Sequence, residues 1–372
     1  MTSGTLIVLA AGGTGGHVFP AEALAAELLR RGYRLALVTD RRGKAYGGTL
    51  GELTTYRIRA GGLAGRGIVG LIKGGLDLLV GLFQARSLLK RLQPAAVIGF
   101  GGYAAFPTVT AAQRLRIPAA LHEQNAVLGR ANRAVAKGCR RVATSYPTVR
   151  FLDALSHRAI LTGMPVRPAV AAMRSHAYQA PLTGGPLRLL VLGGSQGARI
   201  LSEVIPAALA RLPADLRERL HVAQQCRPED LEVVRAAYAG TGIDAELESF
   251  FSDVPERLAD AHLVICRSGA STMAELTTIG RPALLVPYPH AIDDHQTANG
   301  EALAAAGGAI LMPQSGFTPE ALAARLASLL IDPGALADMA ARALAAGHPE
   351  AAARLADLIA ELAGAMTTEV IS

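Results

Sequence analysis

Near the start of this chain a histidine closes a glycine-rich turn, Gly12-Gly13-Thr14-Gly15-Gly16-His17, directly after the apolar run Leu6–Ala10. Glycines let the backbone turn sharply and bring its N–H groups close to a ligand. The helix that follows adds unpaired N–H donors and a partial positive charge, so the turn is a candidate anion site. A histidine at that helix start is kept neutral by the positive helix end and can accept a proton. General-base chemistry beside a bound anion is therefore what these residue types offer. A lone histidine is more often a cap or packing residue, and it is the adjoining glycines that favour a catalytic one.

The turn recurs about half the chain later as Gly193-Gly194-Ser195-Gln196-Gly197-Ala198, after the apolar run Leu187–Leu192. Three glycines and one hydroxyl match, but Ala198 stands where the first copy has His17. A dinucleotide site is the first alternative for the earlier turn, since Asp40 follows the next strand at a plausible ribose-binding distance. The glycine pattern opposes it: a G-x-G-x-x-G starting at Gly13 places Val18 where the third glycine belongs.

Three more clusters follow apolar runs, where open α/β sheets place ligands. Phe100-Gly101-Gly102-Tyr103 is a tight turn that makes Tyr103 a substrate-side candidate. His122-Glu123-Gln124-Asn125, with Gly129, Asn132 and Arg133 beyond, puts four polar residues where burial without partners is costly, which favours a ligand site including Glu123 and Asn125. Arg267-Ser268-Gly269-Ala270-Ser271-Thr272-Met273-Ala274-Glu275 runs into a helix, with Glu275 expected on its first turn. Its N–H groups and hydroxyls suit a pyrophosphate, and Glu275 either accepts bonds from ribose hydroxyls or simply favours the helix start. Asp293-Asp294-His295-Gln296 looks metal-like, yet no second cluster supports a metal.

These residues need elements to hold them. The chain has 372 residues, of which 51% are hydrophobic, enough for two buried cores. The formal net charge of +7 suits phosphate-bearing ligands or an anionic membrane surface. Nucleic acid is disfavoured: there is no Lys/Arg run of five or more, no Trp, and only 4% aromatic residues to stack on bases. Cys139, Cys226 and Cys266 have no metal spacing, and the N-terminus reads as neither secretory signal nor membrane span.

Short β-rich runs alternate with Ala/Leu-rich helical stretches, the pattern of βαβ units around a parallel sheet. Strands are expected near Leu6–Ala10, Arg34–Thr39, Ala95–Phe100, Pro118–His122 and Arg141–Thr144, then Arg188–Leu192, Leu220–Gln224, Ala245–Glu248, His262–Cys266 and Ala283–Pro287. Pro20 near its start and Gly32 past its end bracket the first helix. Gly163, Pro165 and Pro168 mark an interdomain linker in Ala159–Pro168. The reading is α/β with two Rossmann-like domains, 1–163 and 164–346, and a terminal helical segment, 347–372, that can cross back to the first. Gly65–Leu92 forms a helix with two apolar stripes: Ile68, Ile72, Leu76, Leu79 and Phe83, and Leu71, Leu78, Leu82, Leu89 and Leu92. Arg66, Lys73, Arg86, Lys90 and Arg91 flank them, which fits an interfacial helix on anionic lipid or an ordinary core-facing helix.

In this order GGTGGHVFPA, FGGY, HEQNAVLGRANR, GMPVRP, GGSQGAR, CRSGASTMAEL and DHQTAN resemble the MurG family, from about Leu6 to Leu330. The resemblance implies a GT-B architecture of two facing Rossmann-like domains, acceptor side first and donor side second. It implies transfer of N-acetylglucosamine from UDP-GlcNAc to the 4-hydroxyl of MurNAc in undecaprenyl-pyrophosphoryl-MurNAc-pentapeptide (lipid I to lipid II), in an inverting, metal-independent step. By motif, Thr14, Gly15, Gly16, Asn125, Arg167, Ser195, Gln196, the Ala270–Glu275 loop and Gln296 carry over as UDP-GlcNAc contacts, and Phe251 more loosely as a uracil-side contact. His17 is the expected base, or else the group orienting the acceptor pyrophosphate. A lipid-linked acceptor favours membrane contact and a peripheral position on the cytoplasmic face of the inner membrane. Met164 departs from the family's usual Asn, and Gln225-Cys226-Arg227 from its HQ(T/S)G-like turn. Rival readings are another GT-B enzyme, such as a glycolipid transferase or UDP-sugar epimerase, and a non-catalytic nucleotide-sugar-binding subunit.

Overall fold

Apolar runs too short for helices and rich in Val, Ile and Leu become buried parallel strands, and the Ala/Leu-rich stretches between them become the crossover helices. The computed structural model describes residues 4–13, 15–40, 48–61, 68–194 and 197–369; the side chains of residues 68–72 and 365–369 are outside that description. The chain divides into two compact units, Met1–Arg167 with His348–Ser372, and Pro168–Gly347. The first division falls inside the Ala159–Pro168 segment.

In the first unit the strands are β1 (Leu6–Ala10), β2 (Arg34–Asp40), β3 (Thr54–Ile58), β4 (Ala96–Gly99), β5 (Ala119–Glu123), β6 (Arg141–Thr144) and β7 (Ala159–Leu161). They form one sheet in the order β3-β2-β1-β4-β5-β6-β7. In the second unit β8 (Leu187–Leu192), β9 (Leu220–Gln225), β10 (Asp244–Glu248), β11 (Leu263–Cys266), β12 (Ala283–Leu285) and β13 (Ala309–Leu311) are ordered β10-β9-β8-β11-β12-β13. Among the described residues all pairings in both sheets are parallel, with Ile7 level with Leu35 and Ala96, and Val264 with Leu190 and Ala283. In each sheet the order reverses beside the strand that precedes a glycine-rich turn, between β1 and β4 and between β8 and β11. Such a reversal opens a crevice at the carboxyl ends of the strands.

The strands absent from the expectation, β3, β7 and β13, are all edge strands. β3 reads TTYRI and is mostly exposed or half-buried, while β7 and β13 have three residues each, so none carries a buried apolar run. The first helix, Gly15–Arg30, contains Pro20 in its second turn rather than at its start.

Alternation along β1 sends Ile7 and Leu9 into one core and Val8 into another, one on each face of the sheet. The helix Ala351–Glu369 completes the first of these, with Leu355, Ile359 and Leu362 packed among Ile7, Leu24, Leu28 and Ile98. Leu355 and Ile359 are fully buried. Replacing either by Ala should lower stability by about 2–5 kcal/mol through the cavity left behind. Urea denaturation checks this, and an unchanged midpoint would remove the helix from that core.

Candidate active site

At the β1/β4 reversal the two turns that follow these strands are packed against each other. Gly101 and Gly102 adopt φ of +87° and +75°, conformations open to glycine. A Cβ on Gly102 would lie 2.8 Å from the carbonyl oxygen of Gly12, and one on Gly101 would lie 3.0 Å from His17 Cε1. The His17 ring thus lies against a glycine turn that leaves it room. Its Nδ1 is 3.1 Å from Gln124 Oε1.

β5 ends in the polar run, and pleating sends its members opposite ways. His122 and Gln124 point to one side. Gln124 Nε2 donates to the carbonyls of Phe100 (3.0 Å) and His122 (2.9 Å) and lies 3.1 Å from His122 Nδ1. His122 Nε2 donates to Gly163 O at 3.0 Å. Burial is the main force pushing the His122 pKa from its ordinary value near 6.5 down to about 4.

Glu123 points the other way and is 1% exposed. Its carboxylate accepts from Asn125 N (3.1 Å), Asn125 Nδ2 (3.3 Å), Gly129 N (2.9 Å) and Asn132 Nδ2 (2.7 Å). This carboxylate holds the 125–132 loop in place. Asn125 is half-buried beside it, and Tyr103 stands 37% exposed on the Gly102–Arg114 helix. The Arg167 guanidinium lies 4.7 Å from the centre of the Phe19 ring on the first helix and is the main charge opposing the burial-driven rise of the Glu22 pKa. Gly15 and Gly16 begin that helix, with Phe19 2.8 Å from a Cβ built on Gly15; Thr14 lies outside the described residues.

In the second unit Gly193, Gly194 and Gly197 form the β8 turn, with φ of +80° at Gly194 and +70° at Gly197; Ser195 and Gln196 lie outside the described residues. A Cβ on Gly197 would come 2.3 Å from Arg227 Cγ. The departing Arg227 therefore rests its stem on the turn, and its guanidinium pairs with Asp230 at 2.8 Å.

Beside that turn, the segment expected as the Ala270–Glu275 loop is the beginning of a helix, Ala270–Ile279. Ser271, Thr272, Met273 and Ala274 occupy its first turns. Glu275 is the sixth residue and 8% exposed, so it is beyond the first turn where it was expected and is no helix-start carboxylate. Ser268 Oγ donates to Gln296 O at 2.7 Å, Asn299 Nδ2 donates to Ser268 O at 3.1 Å, and Tyr288 N donates to Gln296 Oε1 at 3.0 Å. Ser268, expected with its neighbours as a pyrophosphate contact, and Asn299, within the DHQTAN motif, thus tie the two helix beginnings together. Asp293 and Asp294 reach the start of the His295–Ala305 helix through left-handed φ of 53° and 54°. Phe251 is 4% exposed, with the Arg257 guanidinium 4.2 Å from its ring centre, so its ring packs instead of facing outward.

The helices that start at these turns, after Gly101, Gly129, Ala198 and Gly269, have no side-chain N-cap. Thr318 caps the Pro319–Leu330 helix and Asp332 the Pro333–Ala345 helix, while the helices after Asp230, Asp253 and Asp294 also lack a side-chain cap. Helix N-termini left without a side-chain cap are suited to accept anionic oxygens.

Two parallel-sheet units, each with a glycine turn at its strand reversal, match the architecture of the GT-B class. The glycosyltransferase family 28 N-terminal domain matches residues 7–144 and the family 28 C-terminal domain residues 188–355. The chain is 64% identical to the UDP-N-acetylglucosamine--N-acetylmuramyl-(pentapeptide) pyrophosphoryl-undecaprenol N-acetylglucosamine transferase of Paramagnetospirillum magneticum, covering 97% of this chain and 98% of that protein. It is 58% identical to the Rhodospirillum rubrum transferase of that name, covering 96% and 92%. The crystal structure of Acinetobacter baumannii MurG superposes with a TM-score of 0.77 at 31% identity, covering 96% of this chain and 99% of that one. The chain belongs to the MurG family of glycosyltransferase family 28.

The buried His122 gives a pH signature. The unfolded chain takes up a proton on this residue near pH 6.5, whereas the folded chain resists until about 4. Stability should therefore fall as pH drops between those values, by up to about 3 kcal/mol from this residue, and level off below. Thermal melts from pH 7 to 4 should be less steeply pH-dependent in His122→Gln; parallel curves for the two proteins would refute it.

Proposed function

We propose that the chain transfers N-acetylglucosamine from UDP-GlcNAc to the 4-hydroxyl of MurNAc in undecaprenyl-pyrophosphoryl-MurNAc-pentapeptide, a step of peptidoglycan synthesis. The observation that carries this reading is His17, held at the β1/β4 reversal by Gln124, in a chain that matches named transferases over nearly its whole length. His17 takes the proton of the 4-hydroxyl as that oxygen attacks the anomeric carbon. The anomeric C–O bond breaks with inversion, and its electron pair leaves with UDP. Backbone N–H groups of the β8 turn and of the helix after Gly269 stabilise the charge gathering on the diphosphate. The first unit serves the acceptor and the second the donor.

Radiolabelled transfer from UDP-GlcNAc onto a lipid I analogue tests the reaction. His17→Ala should cut turnover roughly 10²–10⁴-fold while UDP still binds. Near-normal turnover would make His17 structural. Glu275→Ala should weaken UDP binding by about 1–3 kcal/mol, measured by calorimetry; unchanged affinity would remove Glu275 from the site.

The first unit also docks on an anionic bilayer at the cytoplasmic face of the inner membrane. Supporting this, the Ile68–Leu92 helix exposes Leu76 (61%), Leu79 (56%) and Phe83 (69%) as one stripe, with Lys73, Arg86, Lys90 and Arg91 exposed around it. Its other stripe is core: Leu82 and Leu89 are buried, and Leu78 and Leu92 half-buried. The side chains of Ile68, Leu71 and Ile72, and residues Gly65 and Arg66, lie outside the description. No helix among the described residues is long and apolar enough to cross a membrane. An apolar stripe edged by basic residues matches lipid acyl chains and anionic headgroups. Leu76→Ser, Leu79→Ser and Phe83→Ser together should abolish co-sedimentation with anionic vesicles and leave the melting temperature unchanged. Retained co-sedimentation would overturn the docking.

A further inference from the structure

We propose that Gln124 is a positioning residue that holds His17 in the tautomer with its proton on Nδ1, and that His122 in turn fixes the Gln124 amide. The consequence for turnover rests on the reading of His17 as the base; the tautomer itself does not.

The argument begins at groups whose hydrogen-bonding role is fixed. Gln124 is 1% exposed, and one end of its amide lies 3.0 Å from Phe100 O and 2.9 Å from His122 O. Carbonyl oxygens only accept, so that end is the NH₂ group. The opposite end, facing His17, is then the oxygen. An amide oxygen only accepts, so His17 Nδ1 at 3.1 Å carries the hydrogen and Nε2 keeps the ring lone pair.

His122 closes the chain at its other end. Gly163 O, 3.0 Å from His122 Nε2, accepts only, so Nε2 is the protonated nitrogen and Nδ1 the acceptor toward Gln124 Nε2 at 3.1 Å. Every bond from Gly163 to His17 therefore has one consistent direction. A flipped amide would set its oxygen against two carbonyls and against the lone pair of His122. The left-handed turn at Gly101 and Gly102 lets the His17 ring lie where this network reaches it.

This direction matters because an isolated histidine side chain prefers its proton on Nε2. Without Gln124, His17 would mostly turn an N–H toward the acceptor hydroxyl. With it, the hydroxyl proton passes to Nε2 as the new O–C1 bond forms and the C1–O bond to UDP breaks. The Nδ1–H bond to Gln124 is kept throughout, so no group in the network has to rotate.

Long-range ¹H–¹⁵N correlation of the histidine rings in the labelled full chain tests the tautomer directly, with His17 assigned by its absence from the His17→Ala spectrum. The expected wild-type result is a neutral His17 protonated at Nδ1 and His122 protonated at Nε2. A His17 protonated at Nε2 would overturn the proposal without any variant being needed. Gln124→Met keeps the length of the side chain but not its polar ends. It should move the His17 proton to Nε2 and lower kcat roughly 10²-fold or more, with KM for UDP-GlcNAc little changed. An unmoved tautomer in that variant would equally overturn it. Normal turnover in His17→Ala would instead sink the base reading and leave the tautomer assignment standing.

Discussion

A parallel sheet whose strand order reverses sends the connections from two adjacent strands to opposite faces, leaving a crevice between their carboxyl ends. The rest of this structure depends on that constraint. It falls between β1 and β4 in one unit and between β8 and β11 in the other. At both places the chain must turn within a few residues and keep its backbone exposed to a ligand. Glycine meets that demand, with positive φ at Gly13, Gly101 and Gly102 in the first unit and at Gly194 and Gly197 in the second. The packing is tight enough that a methyl group on Gly102 or Gly193 would collide with backbone.

The same frame is equipped differently in each unit. In the first, β5 brings a polar run to the crevice, and its members divide the work by pleating. Glu123 gathers four N–H donors and shapes the loop that follows, while His122 and Gln124 form a neutral relay to His17. In the second unit no histidine follows the glycine turn; Ala198 takes the place. What stands there are a helix start without a side-chain cap and the Ser268–Gln296–Asn299 bonds that tie two helix beginnings together.

Much of this was legible in the sequence because buried parallel strands need continuous apolar runs and tight turns need glycine. Leu6–Ala10 and Arg141–Thr144 have the bounds read from the residues alone. The edge strands β3, β7 and β13 escaped because an edge buries less and leaves a weaker pattern. The start of the helix after Gly269 was placed too late, since Ser and Thr at 271 and 272 suit a loop as well as a helix start. The opposite directions of Glu123 and Gln124 follow from pleating, but only once β5 is known to extend through Glu123. The amide orientation of Gln124 was beyond reach, because it depends on Phe100 O and Gly163 O, which are distant in sequence.

The Ile68–Leu92 helix shows where periodicity stops and packing decides. Two apolar stripes read alike in sequence, and either could have been the core. The glycines break the tie. A Cβ on Gly81 would fall 1.8 Å from Arg59 O, and a Cβ on Gly61 would fall 2.9 Å from Gly74 Cα, so Gly74 is buried against the same segment. Seven residues apart, these two positions share one face, and the segment after β3 lies on it. Arg59 N also donates to Gln84 Oε1 at 2.8 Å, which fixes the helix further. Rotation to bury Leu76, Leu79 and Phe83 would drive side chains into that segment. The exposed stripe is therefore locked outward by the backbone contact on the opposite side, and the helix cannot relieve it by turning.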